Sequence, residues 1–402
     1  MRTPLPRDHF ATPLQETPLH ARLAAVTRPD GWYGWNGFQA PRVCRDEEAE
    51  YFAIRNAASL FDVSPIIKYR VAGGEAAAYL DRLLVSHVAP LPAGHVQYTA
   101  WCDDEGKLLE DGLLFRLGGD EFLLFTQERH LNWLSDSAIG FDVAVAEVSD
   151  EIAGLALQGP TSFAVLEAAG LGHLADLPPM RLRAVDVAGV GAATVSRTGY
   201  TGDLGYEFFL PPAGAPALWD LLMAAGALHG ITPIGAAALD LARLEAGYVQ
   251  SGSDFVPAEH AVRADRRRSP FEAGLGFLVA LDKPMHFTGK RALVEERRRG
   301  GGHVLVGLEI DGNVPAEHAL VYHRGKTEVG HVTAAAWSPT TKRNIALASL
   351  KRPYGDTVTG DLWVDIYAVR ELEYARAMVR ARVVPRPFFD PPRRTATPPG
   401  RW

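Results

Sequence analysis

The chain has 402 residues, 47% of them hydrophobic and 22% charged, with a formal net charge of −7. This length is more than one core needs and suggests two or three domains, while the acidic balance argues against a nucleic-acid partner. No apolar run approaches the ~18–20 residues that span a bilayer and residues 1–8 lack the apolar centre of a signal peptide, so a cytoplasmic protein without a membrane partner is expected.

Residues 1–16 hold three prolines and no periodicity, which predicts a loose arm. Asp46 to Asn56 opens with acids and fits a helix, with Ala49, Phe52 and Ala53 on its inward face. Ile66–Val71 reads as a strand and Gly74–Leu84 as a helix that buries Ala77, Leu80, Leu83 and Leu84. Leu113–Leu117 and Phe122–Thr126 form a hairpin around Gly118-Gly119-Asp120. A helix near His130–Ser137, a strand near Val143–Val148 and helices over Thr161–Ala169, Ala215–Leu228 and Ala236–Ala246 follow. Strands and helices mixed without βαβ regularity predict an α+β fold. The style changes near Gly300-Gly301-Gly302, setting a boundary at 295–303. Beyond it, short Val/Leu/aromatic runs at 304–310, 318–322, 328–334, 345–350, 362–367 and 379–384 read as a small β-barrel. A Pro/Arg-rich tail from Pro385 then either crosses back or frays.

The most informative stretch is Ser196-Arg197-Thr198-Gly199-Tyr200-Thr201-Gly202-Asp203-Leu204-Gly205-Tyr206-Glu207. A β-branched run enters it, three glycines force tight turns and allow close approach of a partner, and Phe208-Phe209-Leu210 leaves as a strand. Tyr200 and Glu207 stand at the two ends of the turn. An aromatic face and a carboxylate so placed suit a flat, donor-rich heterocycle. A merely decorated hairpin accounts for the same residues equally well.

This segment resembles the R-T-G-Y-T-G-x-x-G-[FY]-E signature of the tetrahydrofolate-dependent aminomethyltransferases. That family includes the glycine cleavage T-protein and folate-dependent demethylases. Further blocks match in order: Thr17-Pro18-Leu19-His20, Leu60-Phe61-Asp62-Val63-Ser64, Gln97-Tyr98-Thr99, Gly106 to Asp111, Ala156-Leu157-Gln158-Gly159-Pro160, Leu241 to Gly247 and Ser338-Pro339-Thr340. The resemblance runs over roughly residues 15–385. It implies two interlocked α/β subdomains that bind folate (17–298), a C-terminal β-barrel (303–385) and a tail (386–402), with tetrahydrofolate as cosubstrate.

On this resemblance Asp111 is the catalytic acid, beside the reactive nitrogens of folate. Its neighbour Glu110 points the other way if the strand has begun. Glu207 and Tyr200 match the pterin-clamping positions, Tyr98 lines the same cavity, and Leu113 offers its backbone to the pterin. For Tyr98, packing is nearly as good an account as ligand contact. Arg243 is read equally well as a folate contact or as an ion pair. The chain departs from the glycine-cleavage members at Pro65-Ile66-Ile67, Leu239 and Ser251-Gly252-Ser253. These departures favour a demethylase-like relative whose donor is a small O-, N- or S-methylated metabolite, with a folate-recycling enzyme as a further partner. A true glycine cleavage T-protein and a non-catalytic folate-binding protein are the alternatives.

Other groups carry less. His318, His323 and His331 read as surface residues, and no metal site is expected. Cys44 and Cys102 are too few for a disulfide framework, and Cys102 reads as a small buried thiol. The runs Arg266-Arg267-Arg268 and Arg297-Arg298-Arg299 read as solvated faces, either of which could receive an anionic partner or a polyglutamate tail.

Overall fold

A computed structural model describes residues 13–370 and 373–400. Of the predicted arm, residues 1–12 lie outside that range, and so do the last two residues of the tail. Gln15–Glu16 is not loose: it pairs in parallel with Phe38 and Gln39.

Two antiparallel-rich sheets form the body. One has six strands in the order Leu182–Val187, Gly191–Ser196, Gly205–Leu210, Ala153–Gln158, Ser59–Asp62, Thr232–Pro233. The other has five, in the order His95–Cys102, Leu108–Gly118, Glu121–Thr126, Ile67–Ala72, Ala144–Glu147. Their inner faces meet across Phe61, Ala156 and Phe209 from the first sheet and Val96, Phe115 and Phe125 from the second. Phe125 stacks on Phe115 at 4.5 Å and meets Phe209 edge-on at 4.7 Å between ring centroids, two arrangements that aromatic quadrupoles favour. Helices Ser162–Ala168 and Ala215–Gly226 cover the outer face of the six-stranded sheet, with Phe163, Leu166, Leu218 and Leu222 against Leu155, Leu157 and Phe208. Helices Ala76–Leu83 and Leu131–Ser137 cover the other sheet.

Helix Glu47–Asn56 starts where Asp46 accepts the Ala49 N–H, with three glutamates in its first turn favoured by the helix dipole. Its inward face is only partly the one periodicity predicts, since Ala53 is buried as expected but its two companions are not. Ala49 and Phe52 are exposed, whereas Glu50, Tyr51, Ala53, Ile54 and Arg55 are buried. The reason is polar: Glu50 accepts the backbone N–H groups of Arg45 and Gly235, each at 2.8 Å, so an acid belongs inside.

Six strands, in the order His303–Ile310, Arg343–Lys351, Thr327–Ser338, Leu320–His323, Leu362–Arg370, Glu373–Val384, close the C-terminal barrel. Alternation sends Val306, Leu308, Ala346 and Ala348 into the barrel and Leu305, Ile345 and Leu347 outward. The outward set packs on Cys102, Leu108 and Phe287 of the body.

A polar joint accompanies that apolar contact. Glu245, fully buried, receives Arg55 Nη2 at 2.7 Å, Tyr51 Oη at 2.5 Å and Ser338 Oγ at 2.5 Å. Asp254 joins Arg243 Nη1 and Thr333 Oγ1, each at 2.5 Å. The arginine run 266–268 is not uniformly a solvated face: Arg268 is buried, and its Nε donates to Ser349 Oγ of the barrel at 3.1 Å. His331 is half-buried beside Arg266, and burial together with neighbouring arginines pushes its imidazole down to about 4. The tail crosses back over the body, with the N–H groups of Phe388 and Phe389 both donating to Glu245 O at 2.9 Å.

Candidate functional site

The strand carrying Asp111 begins at Leu108, so this residue lies within the sheet, opposite Ala100, and not at a loop edge. Alternation puts Asp111, Leu113 and Phe115 on the face between the sheets and Glu110 on the opposite face with His130. Tyr98, paired with Leu113 on the adjacent strand, donates its hydroxyl to Asp111 Oδ2 at 2.5 Å. Burial, then the charge of Glu110, pushes the Asp111 carboxyl well above its ordinary range. Burial and Asp111 likewise raise the Tyr98 phenol.

Behind Asp111 lies an acid–base pair that sequence reasoning missed. Glu110, fully buried, accepts the N–H groups of Asp111 at 3.0 Å and Glu128 at 3.1 Å, and faces His130 Nε2 at 3.3 Å. The other ring nitrogen of His130 faces Glu259 Oε1 at 2.9 Å. With a carboxylate on each nitrogen the ring is held as imidazolium. Burial opposes that charge, but the bonds to Glu110 and Glu259 prevail and raise His130 to about 9.

Glu207 lies inside the strand Gly205–Leu210, opposite Ala156 on one side and Ser196 on the other. Its neighbours Tyr206 and Phe208 join the outer core, so Glu207 shares the inter-sheet face with Phe209. Among the described residues its carboxylate receives one hydrogen bond, from Thr198 Oγ1, and no cation. Burial pushes its carboxyl up, and Thr198 only partly opposes this.

The glycines of the signature serve a different partner from the one expected. A Cβ at Gly199 would sit 1.9 Å from Gln158 Oε1, and one at Gly205 would sit 2.3 Å from Gln158 Cδ. Gln158 threads this hairpin, donating to Thr198 O at 3.2 Å and accepting from Thr201 Oγ1 at 2.9 Å. At Gly199 and Gly205 the close approach is therefore to the protein's own amide side chain, and at Gly202 it is to Ala246.

Tyr200 donates to Val249 O at 2.6 Å and stacks on Tyr248 at 5.8 Å. Burial raises its phenol, with the charges of Arg243 and Asp111 acting on it in opposite senses. Arg243 is buried and held by Asp240 at 2.7 Å and Asp254 at 2.5 Å, which makes it an ion-paired strut beside Tyr200. Leu113 pairs with Tyr98 on one side and Phe125 on the other. Its backbone therefore faces ladder partners, and a partly buried side chain is what it presents to the layer. Asp111, Tyr98, Leu113 and Tyr200 thus share one neighbourhood, while Glu207 faces the same layer from the other sheet without bonding to them.

Two further elements reach this region. Phe277, 76% exposed, lies 6.3 Å from the Tyr98 ring. The hairpin Trp32–Trp35/Phe38–Pro41 brings Asn36 Nδ2 within 2.9 Å of both Pro65 O and Gln127 O. Its Asn36-Gly37 turn, with φ of 51° and 88°, is a readable hairpin signal. Ile66 and Leu239 pack with Leu113 on the same apolar layer. A cavity of about 310 Å³ on the barrel, lined by His318, Tyr322, Asp365 and Arg376 among others, contains none of these residues. Burial raises both thiols, Cys44 to about 12, which suits inert packing residues.

Comparison with known proteins matches residues 18–283 to the GCVT N-terminal domain and residues 303–390 to the glycine cleavage T-protein C-terminal barrel domain. Aminomethyltransferases of Geobacillus kaustophilus and Anoxybacillus flavithermus are 37% and 34% identical, each over 94% of this chain and 99% of theirs. A trimethylamine-oxide aldolase of Ruegeria pomeroyi is 34% identical over 94% of this chain, which spans 47% of that longer protein. The crystal structure of the glycine cleavage system aminomethyltransferase T from Bartonella henselae superposes with a TM-score of 0.81 at 25% identity, covering 94% of this chain and 98% of that one. With both sheets, the barrel and the signature hairpin in place, the chain belongs to the folate-dependent aminomethyltransferase family typified by the glycine cleavage T-protein.

Proposed function

We propose that this protein moves a one-carbon unit from a small methylated metabolite to tetrahydrofolate. The observation that carries the reading is Glu207, a buried carboxylate with one neutral donor, facing the layer that holds Asp111. A buried acid left so short of donors is costly unless a ligand supplies them. The paired N–H groups of an aminopyrimidine ring meet that need.

In this reading residues 17–298 bind folate, 303–385 form the supporting barrel, and 386–402 form the tail. Glu207 anchors the pterin edge, Tyr200 walls its face, and the Leu113 side chain closes the layer. Arg243 acts through its ion pairs on Tyr200. Asp111 is the catalytic residue. Its carboxylate stabilises the positive charge that develops at the reacting nitrogen and can take that nitrogen's proton. Tyr98 fixes which oxygen of Asp111 is free to do so. When bound, tetrahydrofolate supplies the nucleophilic nitrogen that accepts the carbon unit.

The donor class rests on Pro65, Ile66 and Leu239. Ile66 and Leu239, like Leu113, are partly buried at the edge of the same apolar cluster, and a charged arm finds no partners on their side chains. The full-length relatives named aminomethyltransferase favour a second reading, transfer from a carrier-borne aminomethyl group. Mass spectrometry of the folate product separates the two, after incubation with O-, N- and S-methyl compounds or with an aminomethyl-lipoyl carrier. Product from a free methyl donor supports the first reading. Ammonia release from the carrier at a comparable or higher rate restores the second.

A further inference from the structure

The signature hairpin holds two charged residues, Arg197 and Asp203, that the site above does not use. Both are buried, and both grip the C-terminal segment. Arg197 Nη1 donates to Thr397 Oγ1 at 2.8 Å, and its Nη2 donates to Ala396 O at 2.6 Å. Asp203 accepts Arg393 Nε at 2.6 Å and Nη2 at 2.8 Å, a bidentate pair. These anchors bracket Tyr200 in sequence.

A third link reaches the ring itself. Arg394 Nη1 donates to Tyr248 Oη at 3.3 Å, and Tyr248 stacks on Tyr200 with 27° between the planes. The segment is in turn fixed to the body: Phe389 lies 4.9 Å from the Arg55 guanidinium, and Phe388 and Phe389 donate to Glu245 O. A loop with glycines at 199, 202 and 205 has more backbone freedom than most. Contacts at both its ends and on its aromatic ring remove that freedom before any ligand arrives.

We infer that residues 388–397 form a clasp that holds the Tyr200 loop in its ring-receiving conformation, making Arg393 and Arg394 positioning residues for folate binding. This rests on the folate reading of the site. The gain is preorganisation: ordering that the clasp supplies is not charged against ligand affinity.

The test uses full-length Arg393→Ala, Arg393→Lys and Arg394→Ala. Tetrahydrofolate affinity is measured by calorimetry, and amide exchange is followed over residues 199–203. Arg393→Ala should raise Kd about tenfold and speed exchange in the loop, with kcat at saturating folate within about twofold of wild type. Arg393→Lys should recover part of the affinity. If Arg393→Ala does not fold, Arg394→Ala, which loses only the bonds to Tyr248 and Asp390, should show the same pattern at smaller size. Faster loop exchange with unchanged Kd overturns the clasp, and so does unchanged exchange. A wild-type protein that binds no tetrahydrofolate defeats the functional reading instead, and loop exchange alone then decides whether the clasp exists.

Discussion

Glu245 and Glu207 are both buried acids of the body, and they are provided for in opposite ways. Glu245 has the Arg55 guanidinium and two hydroxyls, one of them from the barrel. Glu207 has one hydroxyl. A saturated carboxylate with a paired cation locks elements together, because every group that could loosen it would be left unpaired. An unsaturated one raises the energy of the empty protein and lowers that of a complex that brings donors. The Ser338-Pro339-Thr340 block and the Leu241–Gly247 block, which resemble family segments, therefore serve a joint, while the Tyr200–Glu207 hairpin carries the proposed folate site.

The largest effect should come from breaking the joint. Glu245→Ala leaves buried Arg55 with two backbone carbonyls and, at 3.5 Å, Asp203 as its remaining carboxylate, and should destabilise the protein by about 3–5 kcal/mol. Chemical denaturation reads this directly, and a loss below about 1 kcal/mol would show that the joint is incidental. His130 comes next. Its folded value is raised from 6.5 to about 9, so its contribution is full below pH 6.5 and disappears as pH rises through about 9. That difference corresponds to about 3 kcal/mol. Thermal midpoints of the wild type should fall between pH 7 and 10, and His130→Gln should lack that slope. Asp111→Asn should slow turnover on the order of 10²-fold while folate affinity changes little. Near-normal turnover would reduce Asp111 to a strand residue held by Tyr98.

The barrel strands and the body helices were legible because burial there follows period two or period 3.6. Helix Glu47–Asn56 is legible in place but only partly in orientation: Ala53 faces inward as its period predicts, while the same side carries Glu50 and Arg55, whose partners lie far away in sequence. The Asn36-Gly37 turn is a hairpin signal carried by the sequence itself. The signature glycines pointed to close approach without saying to what; Gln158 fills that space, and only the fold brings it there. Glu110, His130 and Glu259 illustrate the same limit, being scattered along the chain and joined only by tertiary structure. Asp111 and Tyr98 are singled out by the family resemblance alone, and the hairpin that joins their strands is what brings the two side chains together.

The smallest effect tests the central claim. Glu207→Gln removes the charge but keeps the shape, and Gln can still accept from Thr198. It should leave stability unchanged or slightly raised, since a buried, poorly paired carboxylate is removed. Titrating tetrahydrofolate into wild type and Glu207→Gln by calorimetry is the direct measurement. Binding by the wild type is expected, with a loss of about 1–3 kcal/mol in the variant, the scale of a charge-assisted bond. Equal affinity in the two proteins, both folded, would remove Glu207 from the site and contradict the account.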